Sequence, residues 1–370
     1  MPSTAPLQPN PPMRLLSLDF MRGFIMVMLA LESSGLYGHM DTLTTNSAIN
    51  PLVQQLFHHP WNGLRFWDLI QPAFMFIAGT AMAYSLDKQF KNGVPWKDAF
   101  VKVLKRTGWL FFWGVLDYAV GKDGSLSFKL WDVLTQLSFT TLVAFLVFQW
   151  SYRNQVLFCV FILLLTEALY RFTGIPGFDQ PFTDQKNFGN YMDLILMNKI
   201  NSGGWVAINC LPTSVHTIAG AIAGRILLNK QPVKWIIIAG VISLVAGYGL
   251  DLAGITPIIK RIATSSFTLA SLGWCLLGLA LVYWWIDIRK HNKHLTFFTI
   301  VGMNSLFIYI FFEIVGSRWF NEYVGHVTNG LMGIVSLPNG MMMITTSLCI
   351  FALEWYLCYF LYKKKIFFRA

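Results

Sequence analysis

The chain has 370 residues, of which 55% are hydrophobic and only 12% are charged. Soluble domains carry about 25% charged residues, so this composition excludes an ordinary soluble domain and indicates an integral membrane protein. The net charge of +10 is compatible with a nucleic-acid partner, but the placement of the basic residues along the chain indicates an orientation in a membrane instead.

Apolar windows of about 20 residues, the length of a membrane-spanning helix, recur along the whole chain. We therefore predict an all-α integral membrane protein, a polytopic bundle of about ten transmembrane helices. Residues 1–13, "MPSTAPLQPNPPM", are rich in proline and lack the features of a signal peptide. We expect them to form a disordered tail before a single membrane domain, 14–370. The predicted spans are 15–36, 66–86, 101–120, 131–150, 153–173, 205–228, 233–252, 265–287, 295–317 and 340–362.

Lysine and arginine residues are unevenly distributed between the two sides that these spans define. If the chain starts in the cytoplasm, roughly twice as many of them fall on the inner side as on the outer side, which is the positive-inside pattern. We therefore expect a multi-pass protein of the cytoplasmic membrane with both termini in the cytoplasm. On this topology two outer connections, 37–63 and 174–204, are long enough to fold over a site.

The first predicted span, "RLLSLDFMRGFIMVMLALESSG", carries polar residues near both ends. Asp19 and Arg22 are three residues apart on one helical face, so they can pair and reduce the cost of burying their charges. Near the outer end of this span, Glu32 and Ser33 add further polar groups. The span is therefore expected to line a polar pathway, and the alternative for Asp19 and Arg22 is a buried structural ion pair.

The second span is preceded by "LFHHPWNGLRFWDL", which places two histidines before a turn and an aspartate after it. Histidine is the usual proton acceptor near neutral pH, and a carboxylate can fix its tautomer. Asp68, at the helix start, is suited to that role. Ten residues along a helix span about 15 Å, so a contact with His58 requires the "PWNG" turn to fold back. The alternative is that His58 and His59 belong to an interfacial belt.

Three other features of the spans indicate packing. His216 is a lone histidine in an apolar span, where a hydrogen-bonded packing role is the more common one. The segment "GAIAG" at 220–224 is a GxxxG pattern typical of a close helix contact. The five cysteines lie in or at the ends of predicted spans without a CxxC pair, so we expect them to be small packing residues.

Two late segments add a third polar cluster. "PIIKRIATSSF" at 257–267 places Lys260 at an outer helix start, and "GMNSLFIYIFFEIV" at 302–315 places four polar residues in one span. Of these four, Tyr309 and Glu313 are four residues apart and share a helical face. A lone membrane asparagine often connects helices, but Asn304 and Ser305 share their span with Tyr309 and Glu313. The cluster therefore indicates a functional site.

These segments together resemble the heparan-alpha-glucosaminide N-acetyltransferase family and its bacterial relatives. The resemblance rests on five patterns that occur in the family's order and cover most of the membrane part. They are "LSLDFMRG" at 16–23, "HHPWNGLRFWDLIQPAFMFIAG" at 58–79, "DVLTQLSF" at 132–139, "PIIKRIATSSFTL" at 257–269 and "VGMNSLFIYIFFEI" at 301–314.

The resemblance implies a transmembrane acyltransferase that moves acetyl from cytosolic acetyl-CoA to an amino sugar or related glycan on the outer face. The histidine of the family's His-x-x-Trp-x-Gly pattern corresponds to His58, which selects it over His59, and the family's aspartate corresponds to Asp68. No metal is expected. The family's late Asn-Ser pair corresponds to Asn304 and Ser305. Together with the polar clusters above, the predicted substrate-binding or oxyanion residues are Trp61, Asn62, Lys260, Asn304, Ser305, Tyr309 and Glu313, and the predicted donor-binding residues are Gln136 and the basic residues Arg106 and Arg225.

The sequence departs from the family at several positions. Gln136 stands where relatives commonly carry arginine, which weakens one expected contact to the anionic donor. Gln71 replaces an apolar residue before a proline, and Ser33 replaces an asparagine near the end of the first span. We therefore expect the acceptor, the donor or both to differ from those of the named enzyme. An inner basic rim that includes Lys102, Lys105, Arg106 and Arg225 is expected to hold the CoA phosphates, although the same charges also satisfy the membrane orientation.

The favoured mechanism has His58 as general base for an acceptor amine or hydroxyl. A covalent acetyl-histidine step is an alternative, and donors such as Asn304 or Tyr309 are expected to stabilise the oxyanion. The main rival function is a transporter or flippase for a sugar or lipid-linked substrate, and a third is an inactive membrane scaffold. The expected partners are the lipid bilayer, acetyl-CoA and a sugar acceptor, with no nucleic acid; a homodimer is compatible with the sequence.

Overall fold

The computed structural model describes residues 15–119, 127–335 and 337–368, so the predicted tail 1–13 lies outside the described residues. Within those ranges the chain is helical and contains no β-strand. The α-helices are α1 (Leu16–Ser33), α2 (Leu36–Thr44), α3 (Asn50–Val53), α4 (Ile70–Lys91), α5 (Trp96–Ala119), α6 (Val133–Val147), α7 (Tyr152–Phe172), α8 (Phe188–Met197), α9 (Cys210–Leu228), α10 (Lys234–Leu252), α11 (Ser265–Tyr283), α12 (Thr296–Met303), α13 (Ser305–Ile310), α14 (Asn321–Ile334) and α15 (Asn339–Lys363). Short 3₁₀ segments cover Gln54–Leu56, Phe66–Leu69 and Ala207–Asn209, and π-helical segments cover Trp284–Ile288 and Phe311–Phe320.

Six of the described helices are long and apolar enough to cross a membrane, so the protein is a helical membrane protein. A further pair, Thr296–Met303 and Ser305–Ile334, makes a seventh if the bent pair counts as one span. α1 and α5 fall short because of their charged residues, and α6 has only 15 residues. The six are Phe66–Lys91, Tyr152–Phe172, Ala207–Leu228, Lys234–Leu252, Ser265–Ile288 and Asn339–Lys363.

Helices occupy all ten predicted segments, but the prediction of one continuous span over 295–317 is wrong. The helix breaks at Asn304, and the parts on either side are bent by 74°. The side chain of Asn304 donates to the carbonyl oxygen of Ile366 at 3.1 Å and accepts from the N–H of Phe368 at 3.0 Å. This buried asparagine therefore stabilises the break by binding the backbone after α15.

Helices α4 and α9 pack along each other at the centre of the bundle. Gly220 of α9 lies directly against the backbone of Phe76 of α4, and Gly224 lies against Thr80. The close contact predicted from "GAIAG" is confirmed. His216, in the same helix, is fully buried and bonded through Nε2 to Ser271 Oγ at 2.8 Å, which confirms its packing role. The five cysteines are free and dispersed, as expected.

Two sets of contacts define the ends of the bundle. At one end, the Asp287 carboxylate accepts the first N–H groups of α1, from Leu16 at 3.2 Å and Ser17 at 3.1 Å. We call this the basic-loop end, because the basic loop 289–294 begins two residues after Asp287. At the other end, Lys199 donates to Ser127 Oγ at 2.9 Å, so the segment before α6 meets the long connection 174–204. We call this the long-loop end.

Candidate active site

The turn at 60–63 is held against a segment about 200 residues further along the chain. Asn62 forms an antiparallel bridge with Ile259, and the Gly63 N–H donates to the carbonyl oxygen of Ile258 at 2.8 Å. Gly63 has φ 148°, and a Cβ there would lie 2.6 Å from Nε2 of His59. Only glycine fits this position. The bridge consequently brings His58 next to Lys260.

Asp68 fixes the loop that carries the two histidines. Its Oδ2 accepts the backbone N–H of Arg65 at 2.9 Å and that of His59 at 3.1 Å. Its Oδ1 lies 2.9 Å from Nδ1 of His58. The contact between His58 and Asp68, which requires the turn at 60–63 to fold back, is therefore present. Asp68 is 1% exposed and the His58 side chain is 38% exposed, so the histidine is the accessible partner.

Lys260 is the third member of this group. Its Nζ lies 3.7 Å from Asp68 Oδ1 and 3.1 Å from His58 Nδ1, and its side chain is 6% exposed. A bare Nδ1 2.9 Å from a carboxylate oxygen would be repelled, so we assign a proton to Nδ1 that is donated to Asp68. A protonated Nδ1 cannot accept from Lys260 as well, so the lysine acts on the pair through its charge, 3.7 Å from Asp68 Oδ1. Nε2 of His58 has no hydrogen-bond partner among the described residues and is free to accept a proton.

The surroundings of His58 favour its neutral form. Burial and then the positive charge of Lys260 lower the pKa of His58 below its ordinary value, and these effects outweigh the opposing hydrogen bond and charge of Asp68. Burial also lowers the pKa of Lys260 to about 8, although the Asp68 carboxylate opposes this shift. At pH 7 the site therefore holds a neutral histidine beside a lysine that is still mostly charged.

The long connection 174–204 and the tryptophan after it cover the site. The ring of Trp205 meets the His58 ring edge to face at 5.4 Å between centroids, and Lys260 Nζ lies 5.4 Å from the Trp205 ring. Trp61 Nε1 donates to the carbonyl oxygen of Phe182 at 2.8 Å and so fastens the connection to the turn. The connection does fold over the site.

Asp193 of α8 anchors this cover. One carboxylate oxygen accepts a hydrogen bond from the Ala207 N–H at 2.8 Å, and the other accepts one from the Nε1–H of Trp131 at 2.9 Å. Burial raises the pKa of Asp193 to about 6, although both hydrogen bonds favour its ionised form. The carboxylate links the cover to the wall of the cavity described next.

A cavity of about 290 Å³ runs inward from His58 and joins all three polar clusters. α1 contributes Glu32 to its wall, and the late helices contribute Tyr309 and Glu313. The cavity places the candidate proton acceptor and a series of acidic and hydroxyl groups around one space. Its other polar or aromatic lining residues are Trp67, Gln71, Phe74, Tyr118, Trp131, Asp132, Asn201, Trp205 and Lys260.

Tyr309 and Asp132 form a buried pair in this wall. The Tyr309 hydroxyl donates to Asp132 Oδ2 at 2.9 Å, while Asp132 Oδ1 accepts the Leu134 N–H and caps α6. The Tyr309 hydroxyl proton is thus already donated to Asp132, which makes Lys260 the better donor to an oxyanion near His58. Asp132 is a cavity residue that was not predicted from the sequence, although it opens "DVLTQLSF". Trp131 and Trp205 were not predicted either, because no local motif marks them.

Several predicted site residues lie elsewhere among the described residues. Asn304 and Ser305 do not line the cavity, because Asn304 binds the chain after α15. Trp61 and Asn62 shape the turn instead of lining the cavity. Asp19 and Arg22, both in α1, do not line it either.

The predicted donor-binding residues are also dispersed. Gln136 is buried and bonded to Gln71, so two of the three positions where the sequence departs from the resembling family contact each other. Arg225 donates to the carbonyl oxygen of Phe148 at 2.9 Å and lies over the Tyr152 ring. Arg106 is exposed on α5 and does not line the cavity. The structure brings none of the three to His58.

No protein-family model and no curated protein matches this sequence, so the family resemblance stays a prediction.

Proposed function

We propose that the protein is a transmembrane acyltransferase of the heparan-alpha-glucosaminide N-acetyltransferase type. It moves acetyl from cytosolic acetyl-CoA to an amino sugar or related glycan acceptor outside the membrane. The observation that carries this proposal is the arrangement of His58, Asp68 and Lys260 at the head of a polar cavity. A neutral histidine with one nitrogen bound to a buried carboxylate and the other free is suited to general-base catalysis.

The proposed reaction uses three groups of this chain. The acceptor nitrogen attacks the thioester carbonyl carbon and the new C–N bond forms, while His58 Nε2 takes the proton from the nitrogen. The charge that develops on the carbonyl oxygen is stabilised by Lys260. The C–S bond then breaks, and the protonated His58 returns the proton to the leaving thiolate. Asp68 holds the imidazole in the required tautomer throughout.

We also propose ten crossings, with His58 outside and both termini in the cytoplasm. Contacts of the helices outside the six apolar spans support this count. α1 begins beside Asp287 at the basic-loop end and carries Glu32 to the cavity. α5 and α6 meet through Trp96 and Phe145 at one end, while Gly114 of α5 lies against the start of α6 at the other.

The proposal is tested by incubating the purified protein with labelled acetyl-CoA and candidate amino sugars. We expect an acetylated product from the unaltered protein, and a rate lower by about 10²–10⁴ in His58→Ala. His59→Ala is the matched control, because His59 packs on Gly63 beside the site and does not line the cavity.

Two outcomes would contradict the proposal. Equal and small effects of the two histidine substitutions would return His58 to a structural role. Binding of sugar without acetyl transfer and without acetyl-CoA binding would favour the transporter or flippase.

A further inference from the structure

A second cavity lies at the basic-loop end, far from His58. It has a volume of about 790 Å³ and is bounded by α1, the last turns of α11, and the loop that leads into α12. One edge carries Lys290, His291 and Lys293, with Asn292 between the last two. The opposite wall is apolar and includes Phe20 and Val282. The cavity therefore combines a cationic edge with an apolar wall.

The cationic edge is held by specific contacts. The ring of His291 stacks on that of Trp285 at 4.0 Å between centroids, with only 12° between the planes. Nδ1 of His291 lies 3.3 Å from the carbonyl oxygen of Trp285. Lys290 adopts φ 61°, a left-handed conformation that is uncommon for a residue other than glycine. Such conformations persist where surrounding contacts fix them, and they are frequent at binding sites.

The apolar wall continues onto the exposed surface of the bundle. Leu281 is 63% exposed and Trp285 is 49% exposed, and both belong to the membrane-spanning helix Ser265–Ile288. A ligand in this cavity therefore touches lipid on one side and the cationic edge on the other. The acidic residue of this segment, Asp287, is bound to the N–H groups at the start of α1, so its charge is already partnered.

We propose that this cavity binds one anionic phospholipid. The headgroup phosphate is bound by Lys290 and Lys293, with Asn292 supplying an amide between them, and one acyl chain lies along Phe20 and Val282. The charge matches a phosphate, and the lipid-facing wall favours a ligand with an apolar chain over a soluble phosphate. Trp285 sits where tryptophan is enriched, at the level of the headgroups.

The test is native mass spectrometry of the full-length protein in neutral detergent, titrated with phosphatidylglycerol, phosphatidylcholine or glycerol phosphate. Neutral micelles remove the surface potential of a bilayer, so binding reports the cavity itself. The variant is Lys290→Gln/Lys293→Gln. The matched control is Lys363→Gln/Lys364→Gln, which removes the same number of positive charges at the end of α15 from residues that do not line the cavity. Leu281→Gln tests the apolar wall.

We expect phosphatidylglycerol to bind the unaltered protein and the control equally. It should bind the Lys290/Lys293 variant about 30-fold more weakly, because each glutamine keeps a hydrogen-bond donor to the phosphate but loses the charge that roughly doubles the strength of such a bond. Leu281→Gln should weaken phosphatidylglycerol binding without changing that of glycerol phosphate. Equal losses in both double variants would overturn the proposal, because they would show general electrostatic attraction. Equal affinity for glycerol phosphate and phosphatidylglycerol would also overturn it, since the apolar wall would then contribute nothing.

Discussion

Asp68 shows how one carboxylate can shape a loop and orient a histidine at once. One oxygen accepts two backbone N–H groups, from Arg65 and His59, and the other meets His58 and Lys260. Burying a charge is costly unless its hydrogen bonds are complete, and here both oxygens are engaged. An alanine at this position would leave the loop without its hydrogen-bond acceptor, so it would not separate the structural role of Asp68 from its role in orienting His58. An asparagine separates these two roles.

Asp68→Asn is expected to lower the acyl-transfer rate by about 10²–10⁴ while the protein remains folded. The amide oxygen still accepts the N–H groups of Arg65 and His59, but the amide NH₂ then faces Nδ1 of His58. The histidine must accept there and carry its proton on Nε2, where it can no longer act as a base. The rate is measured with labelled acetyl-CoA, and folding by size-exclusion chromatography and thermal unfolding. A folded Asp68→Asn protein with the normal rate would show that Asp68 is only a structural cap.

Lys260 is expected to set both limbs of the pH profile. Activity should rise with pH through the pKa of His58, which lies below 6.5, because the base must be neutral. It should fall as Lys260 loses its proton at about pH 8. Lys260→Gln removes the charge that lowers the pKa of His58, so the acidic limb should move to higher pH. The rate at the optimum should fall by about 10²–10³ if the lysine stabilises the oxyanion.

The matched control is Lys260→Arg, which keeps a positive charge at every accessible pH. We expect its acidic limb to stay in place and its alkaline limb to disappear. The measurement is the rate at saturating acceptor from pH 5 to pH 10 for the three proteins. An acidic limb that does not move in Lys260→Gln would contradict the coupling between Lys260 and His58.

Only the part of the site that lies within one short segment, residues 58–68, could be predicted from the sequence. His58 and Asp68 are ten residues apart and joined by a turn signal, so a contact between Asp68 and one of the two histidines was a local prediction, with an interfacial belt as the alternative. The choice of His58 over His59 came from the family resemblance. Lys260 was singled out by its position at a helix start, but its contact with His58 crosses 202 residues and depends on the Asn62–Ile259 bridge. No local pattern encodes such a pairing.

At the level of elements, the positions of helices were predictable and their breaks were not. Apolar windows of about 20 residues mark helices because the backbone must satisfy its own hydrogen bonds in lipid. The break at Asn304 depends on Ile366 and Phe368, more than sixty residues away. Asn304 and Ser305 stand out as polar residues within 295–317, but polarity alone does not distinguish a break from a cavity-facing position of an unbroken helix.

The packing of α4 on α9 is expected to depend on Gly220. A side chain there would meet the backbone of Phe76, which cannot move aside without separating the helices. Gly220→Leu should therefore destabilise the protein by about 3 kcal/mol or prevent folding. Gly249→Leu is the control, because nothing lies within 4 Å of that position. The measurement is thermal unfolding in detergent. Equal melting temperatures of the two variants would contradict the close contact.

For the whole molecule, the decisive quantity is the number of crossings, because it fixes the side of the membrane on which each loop lies. Six or seven spans follow from length and apolarity alone, whereas the contacts of α1, α5 and α6 support ten. The charged residues of α1 and α5 make them poor lipid-facing helices, but helices that line a polar cavity tolerate such residues. The counts differ most clearly in the placement of the segment before α6.

Three single cysteines distinguish the counts: Lys129→Cys, Lys186→Cys and Lys364→Cys, each labelled on intact cells with a membrane-impermeant maleimide. Ten crossings predict labelling at 129 and 186, and labelling at 364 only after permeabilisation. Seven crossings place 129 inside with 364, because α5 and α6 then do not cross. Six crossings leave 129 inside but place 364 outside with 186. The unaltered chain gives the background from its five cysteines. Labelling of 364 but not of 186 would invert the whole orientation, and His58 would then face the cytoplasm, where an outer acceptor cannot reach it.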